Sequence, residues 1–350
     1  DANGENGALL LEPSRQQLIQ FSEYFGDSSW TKTATTTEVG FLSPDGNLNA
    51  SKLLEDNTNS IHRIYQTATV SASPNATISA YVKYNGRRFV LMRIADSSVG
   101  RWYDLIDGVK GDAFTSAPND STIEPVGNDW YRITISHSVA SVARFELWIS
   151  DTESNSAYQG DTTKGVYLYG AQLEVNATYV SSYIPNHGTS GGVTRAADSC
   201  SVTGASDVIG QTEGVIFLQV GDTYNNADTA AEKWFLEVRK DAINSFGLSS
   251  GGGGQVGNPV IRFVTKINNV VRTEGEPPNF SNSKIAIKYT STEFKLFQNG
   301  SLKITAPRNI GGYEDIQFME GASNDLTMVT KQLLAFPTAL TDSECISLTS

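Results

Sequence analysis

The chain has 350 residues, enough for roughly two domains that each bury a core of their own. Its net charge is −12, and charged residues make up only 18%, against ~25% in an average globular chain, so Ser, Thr and Asn must supply much of the polar surface. An acidic chain repels phosphate backbones, so nucleic acid is not an expected partner, and no apolar run approaches the ~18 residues that membrane insertion needs.

No basic stretch followed by an apolar one marks a signal peptide. A helical turn is expected near Gln16–Tyr24. Strands then follow in quick succession: His62–Val70, Ile78–Tyr84, Phe89–Ile94, Trp130–Ser136, Arg144–Ser150 and Val166–Glu174 alternate or run apolar. Turn clusters separate them, among them Ser-Pro-Asn at 73–75, Asn85-Gly86, Asn128-Asp129 and Gly160-Asp161. Spacing of roughly 8–15 residues without a long amphipathic helix is the pattern of a β-sandwich.

Residues 185–199 are rich in Gly and small polar side chains and have no apolar period, which reads as a linker. The strand pattern resumes beyond it at Gly214–Val220, Trp234–Arg239, Ile261–Lys266, Lys284–Thr290, Phe294–Gln298, Ile316–Met319 and Met328–Ala335. Ser249–Gly254 reads as a loop tip, and Asn299-Gly300 as a type I′ hairpin turn, because Asn and Gly tolerate positive φ. Thr341 with Glu344 three residues on predicts a capped helix over Thr341–Leu348. The fold expected is all-β, two tandem antiparallel β-sandwiches of jelly-roll type: a first over 1–187, a linker at 188–199 and a second over 200–350. Cys200 and Cys345 flank the second; two free thiols are expected, and a bridge between first and last strands is the alternative.

Several blocks carry a family likeness. Leu9-Leu10-Leu11-Glu12-Pro13, Ser43-Pro44-Asp45-Gly46, Ile123–Ile133 and above all Gly165-Val166-Tyr167-Leu168-Tyr169-Gly170-Ala171-Gln172-Leu173-Glu174 resemble a module of tailed-bacteriophage tail-fibre and head-fibre proteins. That module is similar to carbohydrate-binding jelly rolls of the xylan- and glucan-binding type. In the second half, Lys284–Tyr289, Phe294–Gly300 and Ala335–Glu344 resemble a laminin-G or concanavalin-like sandwich. The likeness implies a virion structural protein, a homotrimer on an extracellular particle, with other virion proteins and host cell-surface glycans as partners. Jelly rolls of this type often hold a structural calcium through an acid in the last strand. Here that strand reads Tyr167-Leu168-Tyr169-Gly170, and Asp161 just before it is the candidate substitute.

Alternation assigns faces. Phe145, Leu147 and Ile149 point one way; Arg144, Glu146 and Trp148 point the other. Sugar rings stack their C–H faces on aromatic planes, and their hydroxyls need polar partners. Tyr65, Tyr81, Trp148 and Tyr167 beside Arg63 are therefore the candidate glycan-binding residues, as an exposed sheet face. Trp130 and Tyr131 read as core and strand edge, and of Trp102 and Tyr103 one faces the core. The histidines His62, His137 and His187 lie in no nucleophile elbow or zinc motif. No local carboxylate pair stands out, and Gly251–Gly254 lacks the Lys and Ser/Thr of a phosphate loop. The expectation is a binding protein without enzymatic activity and without a cofactor. Two alternatives remain: a secreted bacterial surface adhesin, and a polysaccharide-degrading enzyme of concanavalin-like fold.

Overall fold

In the computed structural model the described residues are 8–70, 75–94, 99–153, 157–225, 233–250, 261–277, 280–318 and 326–350. The expected loop at 251–254 and turn positions 73–74 lie outside them. Among the described residues every strand pairing is antiparallel, apart from two isolated parallel bridges. Two compact units result: Arg15–Arg195, and a second formed by Asp1–Ser14 with Ala196–Ser350.

This division differs at both ends from the expected domains 1–187 and 200–350. Leu9–Leu11 is an edge strand of the C-terminal unit, with Leu9 opposite Thr330 and Leu11 opposite Met328. Leu11 is buried in that unit's core. Three consecutive leucines show no alternation, so their pattern does not say which sheet they join. Just after them the Glu12 amide donates to the Asp198 carboxylate (3.0 Å), and the Asp198 amide donates back to the Glu12 carbonyl (2.9 Å). Val193–Arg195, inside the expected linker, is a strand paired with Arg15–Gln17. The unit Arg15–Arg195 is thus inserted, along the chain, between the first strand of the other sandwich and its remainder.

Among the described residues the inserted unit has two large sheets and a two-stranded one, Asn59–Ser60 with Tyr158–Gln159. One, the Arg63 sheet, runs Val109–Ala113, Gly100–Asp104, Phe89–Ile94, Val142–Ser150, Arg63–Thr69, Thr31–Thr33. The other, the Tyr167 sheet, runs Asp120–Gly127, Trp130–His137, Ala76–Asn85, Gly165–Val175, Arg15–Gln17, Val193–Arg195, with the Thr35–Phe41/Ala50–Glu55 hairpin also on Gly165–Val175. Ile64, Val90, Met92, Phe145 and Leu147 from one sheet meet Ile78, Val82, Ile133, Val166 and Leu168 from the other in a single core. A period of two puts one apolar face of each sheet inside and leaves the other face for function.

The helical turn expected near Gln16–Tyr24 is not formed, because Arg15–Gln17 is a strand. Buried Gln17 explains why. Its side-chain amide donates to the carbonyls of Ile19 (3.2 Å) and Ala171 (3.1 Å), and its oxygen accepts from the amides of Ile19 (2.6 Å) and Leu173 (3.1 Å). These bonds satisfy backbone groups where Gly165–Val175 shifts register between Tyr169 and Gln172.

The C-terminal unit packs two six-stranded sheets around Phe235, Phe246, Phe263, Leu218, Ile287 and Leu296. Asn299 (φ 47°) and Gly300 (φ 73°) form the expected turn. Helix Asp342–Thr349 carries the expected capping box: Glu344 N–H donates to Thr341 Oγ1, and Thr341 N–H to the Glu344 carboxylate. It covers the outer side of one sheet, where Cys345 packs with Val215, Phe217, Ala286 and Phe297. Cys200 begins a strand of the other sheet, so the two thiols are separate and free.

Replacing Leu11 by Ala removes a buried side chain from the C-terminal core and should destabilise that unit by about 2–4 kcal/mol. In calorimetry the transition of the Arg15–Arg195 unit should stay in place. A shift of that transition instead would contradict the assignment of the first strand.

Candidate functional site

The five candidate glycan-binding residues divide between two outward faces. Arg63, Tyr65 and Trp148 lie on the Arg63 sheet, with Trp148 opposite Arg63 in the ladder. Tyr81 and Tyr167 lie on the Tyr167 sheet, on neighbouring strands. Alternation gives the parity of a side chain within its strand but not the sheet that the strand enters, so a single five-residue platform does not form. Trp148 is also not an exposed platform. It is 5% exposed, because Phe114 stacks edge-on against it at 5.3 Å and Arg93 and Arg63 lie over its ring.

Ile133 and Ile135 point into the core, so Trp130 and Arg132, on the opposite parity, point out. Trp130 is buried, at 3% exposure, in an outer cluster with Ala50 and Tyr169, while Tyr131 packs inward against the core between the sheets. The alternation of Ile133 and Ile135 already contained this signal. Trp130 packs near Tyr167 (6.2 Å between centroids), Tyr167 against Phe41 (5.4 Å), and Lys52 sits over the Phe41 ring at 4.5 Å. A cleft opens there, lined by Phe41, Leu42, Ser43, Lys83, Asn128, Trp130 and Tyr167. Its Lys83 ammonium donates to the Asn128 carbonyl at 2.7 Å. A second cleft, of Phe21, Glu23, Tyr24, Val39, Leu48, Asn49 and His187, lies on the other side of loop 42–49.

That loop is held down by a carboxylate pair that no local motif announces. Tyr169 Oη lies 2.9 Å from Asp45 Oδ2 and 3.4 Å from Glu23 Oε1. Asn49 Nδ2 donates to both carboxylates at 3.2 Å. Tyr183 Oη lies 3.2 Å from Glu23 and 2.6 Å from Ser22 Oγ. Burial alone would raise the Asp45 pKa. Hydrogen bonds from Ser43, the Asn47 amide, Tyr169 and Asn49 outweigh it and hold the carboxyl well below the usual carboxylate range. Burial, the hydrogen bond to Asp45 and the charges of Glu23 and Asp45 raise the Tyr169 phenol. Burial, partly opposed by Ser22, raises Tyr183 likewise. Both phenols keep their protons and act as donors. Glu23 and Asp45 are 22 positions apart, and only the return of loop 42–49 over the sheet brings them together.

Asp161 uses its carboxylate locally, accepting from the Thr163 amide (3.0 Å) and hydroxyl (2.7 Å). Its own amide donates to Glu55 at 2.8 Å, a buried carboxylate whose cationic partner is Arg87, at 2.6 Å. Among the described residues no group of three His, Cys, Asp or Glu gathers to hold a metal ion. His62 is buried between the carbonyls of Ala34 and Tyr158. Tyr103 is the core member of its pair and donates to the Thr134 carbonyl, while Trp102 is buried against Leu91 and Trp148 on the outer face.

No protein-family model and no curated protein matches the chain. Among solved structures it is similar to a Trypanosoma rangeli sialidase in complex with sialic acid (8% identity, TM-score 0.28, 85% of this chain, 59% of that one). The chain thus spans less than two thirds of the sialidase. It is also similar to GH43B of a Bacteroides ovatus xyloglucan PUL (11%, 0.28, 89% and 98%) and to domains LG4-5 of the mouse laminin alpha1 chain (7%, 0.23, 89% and 96%). At these values the likenesses bear on fold alone. None of the three is a bacteriophage protein. They also correct one expectation: with a sialidase and a GH43 glycoside hydrolase among the similar structures, the exclusion of enzymatic activity no longer stands.

Asp45 has a depressed folded pKa, so the stability it contributes is complete above the ordinary carboxylate range and is lost as pH falls through the folded value. The Asp45→Asn variant should be less stable at pH 7 and should lose less on acidification than the wild type in thermal melts. Parallel pH profiles for the two proteins would contradict the hydrogen-bonded role of Asp45.

Proposed function

We propose that this protein binds polysaccharide, and that the Tyr167 face is where it does so. The observation that carries this reading is the cleft in which the half-buried rings of Tyr167 and Phe41, backed by buried Trp130, stand beside Lys83, Asn128 and Ser43. Aromatic planes accept the C–H faces of sugar rings, and the polar groups around them accept and donate to ring hydroxyls. A second cleft across loop 42–49 gives the face two subsites, as an extended chain of sugar units requires.

A second reading is favoured by the Glu23–Asp45 pair. Hydrolysis of a glycosidic bond uses two carboxyl groups flanking the linkage, one of them ionised as nucleophile or base. Asp45 is held in that form and Glu23 lines the second cleft. On this reading the bound chain is also cut. A finer placement on a virion, as a homotrimer engaging other virion proteins and host-surface glycans, is a proposal supported by sequence resemblance alone, mainly that of Gly165–Glu174.

Affinity electrophoresis in gels containing xylan or mixed-linkage β-glucan tests the binding. Wild type should be retarded, and Phe41→Ala and Tyr167→Ala should each weaken binding by about tenfold or more, the loss of one stacking platform at roughly 1–2 kcal/mol. Equal mobility with and without polysaccharide, or unaltered retardation of both variants, would remove the reading. Reducing-end release tests the cutting. It should fall at least about a hundredfold in Glu23→Gln and Asp45→Asn, while the retardation persists. No release by the wild type leaves binding alone.

A further inference from the structure

The second cleft of the Tyr167 face has a wall that sugar hydroxyls and flat rings do not account for. Leu48 is 72% exposed, Val39 58% and Tyr24 52%, and all three line that cleft. Val39 comes from the Thr35–Phe41 strand, Leu48 from loop 42–49 and Tyr24 from the segment after Arg15–Gln17. Apolar side chains left in water by three separate segments, around one cavity, mark a binding surface. The cavity holds about 480 Å³, within the ~300–1,000 Å³ of small-ligand sites.

The same cleft is held in shape from below. Half-buried Phe21 lines it in a left-handed backbone conformation (φ 47°), which a bulky residue adopts only where its surroundings impose it. Trp30 Nε1 donates to the Phe21 carbonyl at 3.1 Å. Next to it Ser22 and Asn186 clasp each other: the Ser22 amide donates to the Asn186 carbonyl, and the Asn186 amide to Ser22 Oγ, both at 2.9 Å. Gly188 leaves room for the ring, since a Cβ there would come within 2.5 Å of it. The apolar seat therefore stands ready before a ligand arrives.

The polar groups of the cleft are mainly acceptors. Glu23 Oε1 accepts from the Tyr169 and Tyr183 hydroxyls and Oε2 from Asn49 Nδ2, at most three bonds for a carboxylate with about four acceptor positions. Asn49 Nδ2 already serves both Glu23 and Asp45, so it offers a ligand no donor. His187 lines the cleft and is exposed, and its ring carries an N–H that a carbonyl can accept from. A sugar hydroxyl seated here would find Glu23 but would leave Val39 and Leu48 uncovered. An acetamido group satisfies both: its N–H donates to Glu23, its methyl packs on Val39, Leu48 and the Phe21 ring, and its carbonyl takes the His187 N–H. An acetyl ester brings the methyl without the N–H.

We infer that the second cleft is selective for an acetamido group, so that the glycan on this face is recognised through an N-acetylated sugar unit. This rests on the glycan reading of the Tyr167 face and adds to it the substituent that sets its preference.

Tetra-N-acetylchitotetraose and cellotetraose share one backbone and differ in a single group per sugar, acetamido against hydroxyl. Titration calorimetry of the full chain with each isolates that group. The acetamido oligomer should bind about tenfold or more tighter. Val39→Ser and Leu48→Ser, both at exposed positions, should each remove most of that preference and leave cellotetraose affinity within about twofold of wild type. Acetylated xylan should gain less over deacetylated xylan than the acetamido oligomer gains over cellotetraose. Equal affinity for the two tetraoses, or a preference that survives both serine variants, overturns the inference and leaves the glycan reading standing. An equal gain from the ester overturns the selectivity for the amide. Acetamido binding that falls in the serine variants but ignores Phe41→Ala and Tyr167→Ala supports this cleft and removes the first one. Binding of neither tetraose overturns the inference, and retardation by xylan then decides the glycan reading on its own.

Discussion

The strand Gly165–Val175 is the constraint on which the inserted sandwich depends. It pairs with Ala76–Asn85 on one side and with both Ala50–Glu55 and Arg15–Gln17 on the other. Its inward residues Val166, Leu168, Ala171 and Leu173 are fully buried, and its outward residues Tyr167 and Tyr169 build the candidate site. Gly170, at φ 61°, and the register shift beside it let one strand serve two partners in sequence. A Cβ at Gly170 would also come within 2.9 Å of the Tyr81 ring, so the aromatic face needs that glycine as much as the backbone does. Stability and site geometry are therefore set by the same eleven residues.

The two outward faces of this unit then divide the chemistry. On the Tyr167 face the rings stand beside a lysine and an asparagine, and the carboxylates Glu23 and Asp45 are held by tyrosines. On the Arg63 face the rings are covered by guanidiniums around one buried glutamate. Strand alternation makes both possible, because only one face of each sheet is needed for the core. The first arrangement sets rings and polar groups side by side, and the second encloses one carboxylate among cations and rings.

Much of the fold was legible in the sequence. Phe145, Leu147 and Ile149 alternate cleanly, and all three are core residues. Thr341 with Glu344, and Asn299 with Gly300, are local signals that need no tertiary context. Leu9–Leu11 was illegible because three leucines in a row carry no parity, and their partner Leu326–Phe336 lies more than 300 positions away. The site was legible only in part. The outward parity of Tyr65, Tyr81, Trp148 and Tyr167 could be read, but not the sheet each would enter, nor the covering of Trp148 by Phe114. Glu23 and Asp45 meet only through a loop whose return is a tertiary event.

Hydrogen–deuterium exchange on the full chain, with and without saturating xylan or mixed-linkage β-glucan oligosaccharide, tests the central claim most directly. Protection should concentrate in residues 39–49 and 126–132 and around Tyr167, the segments that line the two clefts. Protection confined to the C-terminal unit, or none at any saturating sugar, would contradict a glycan site on the Tyr167 face.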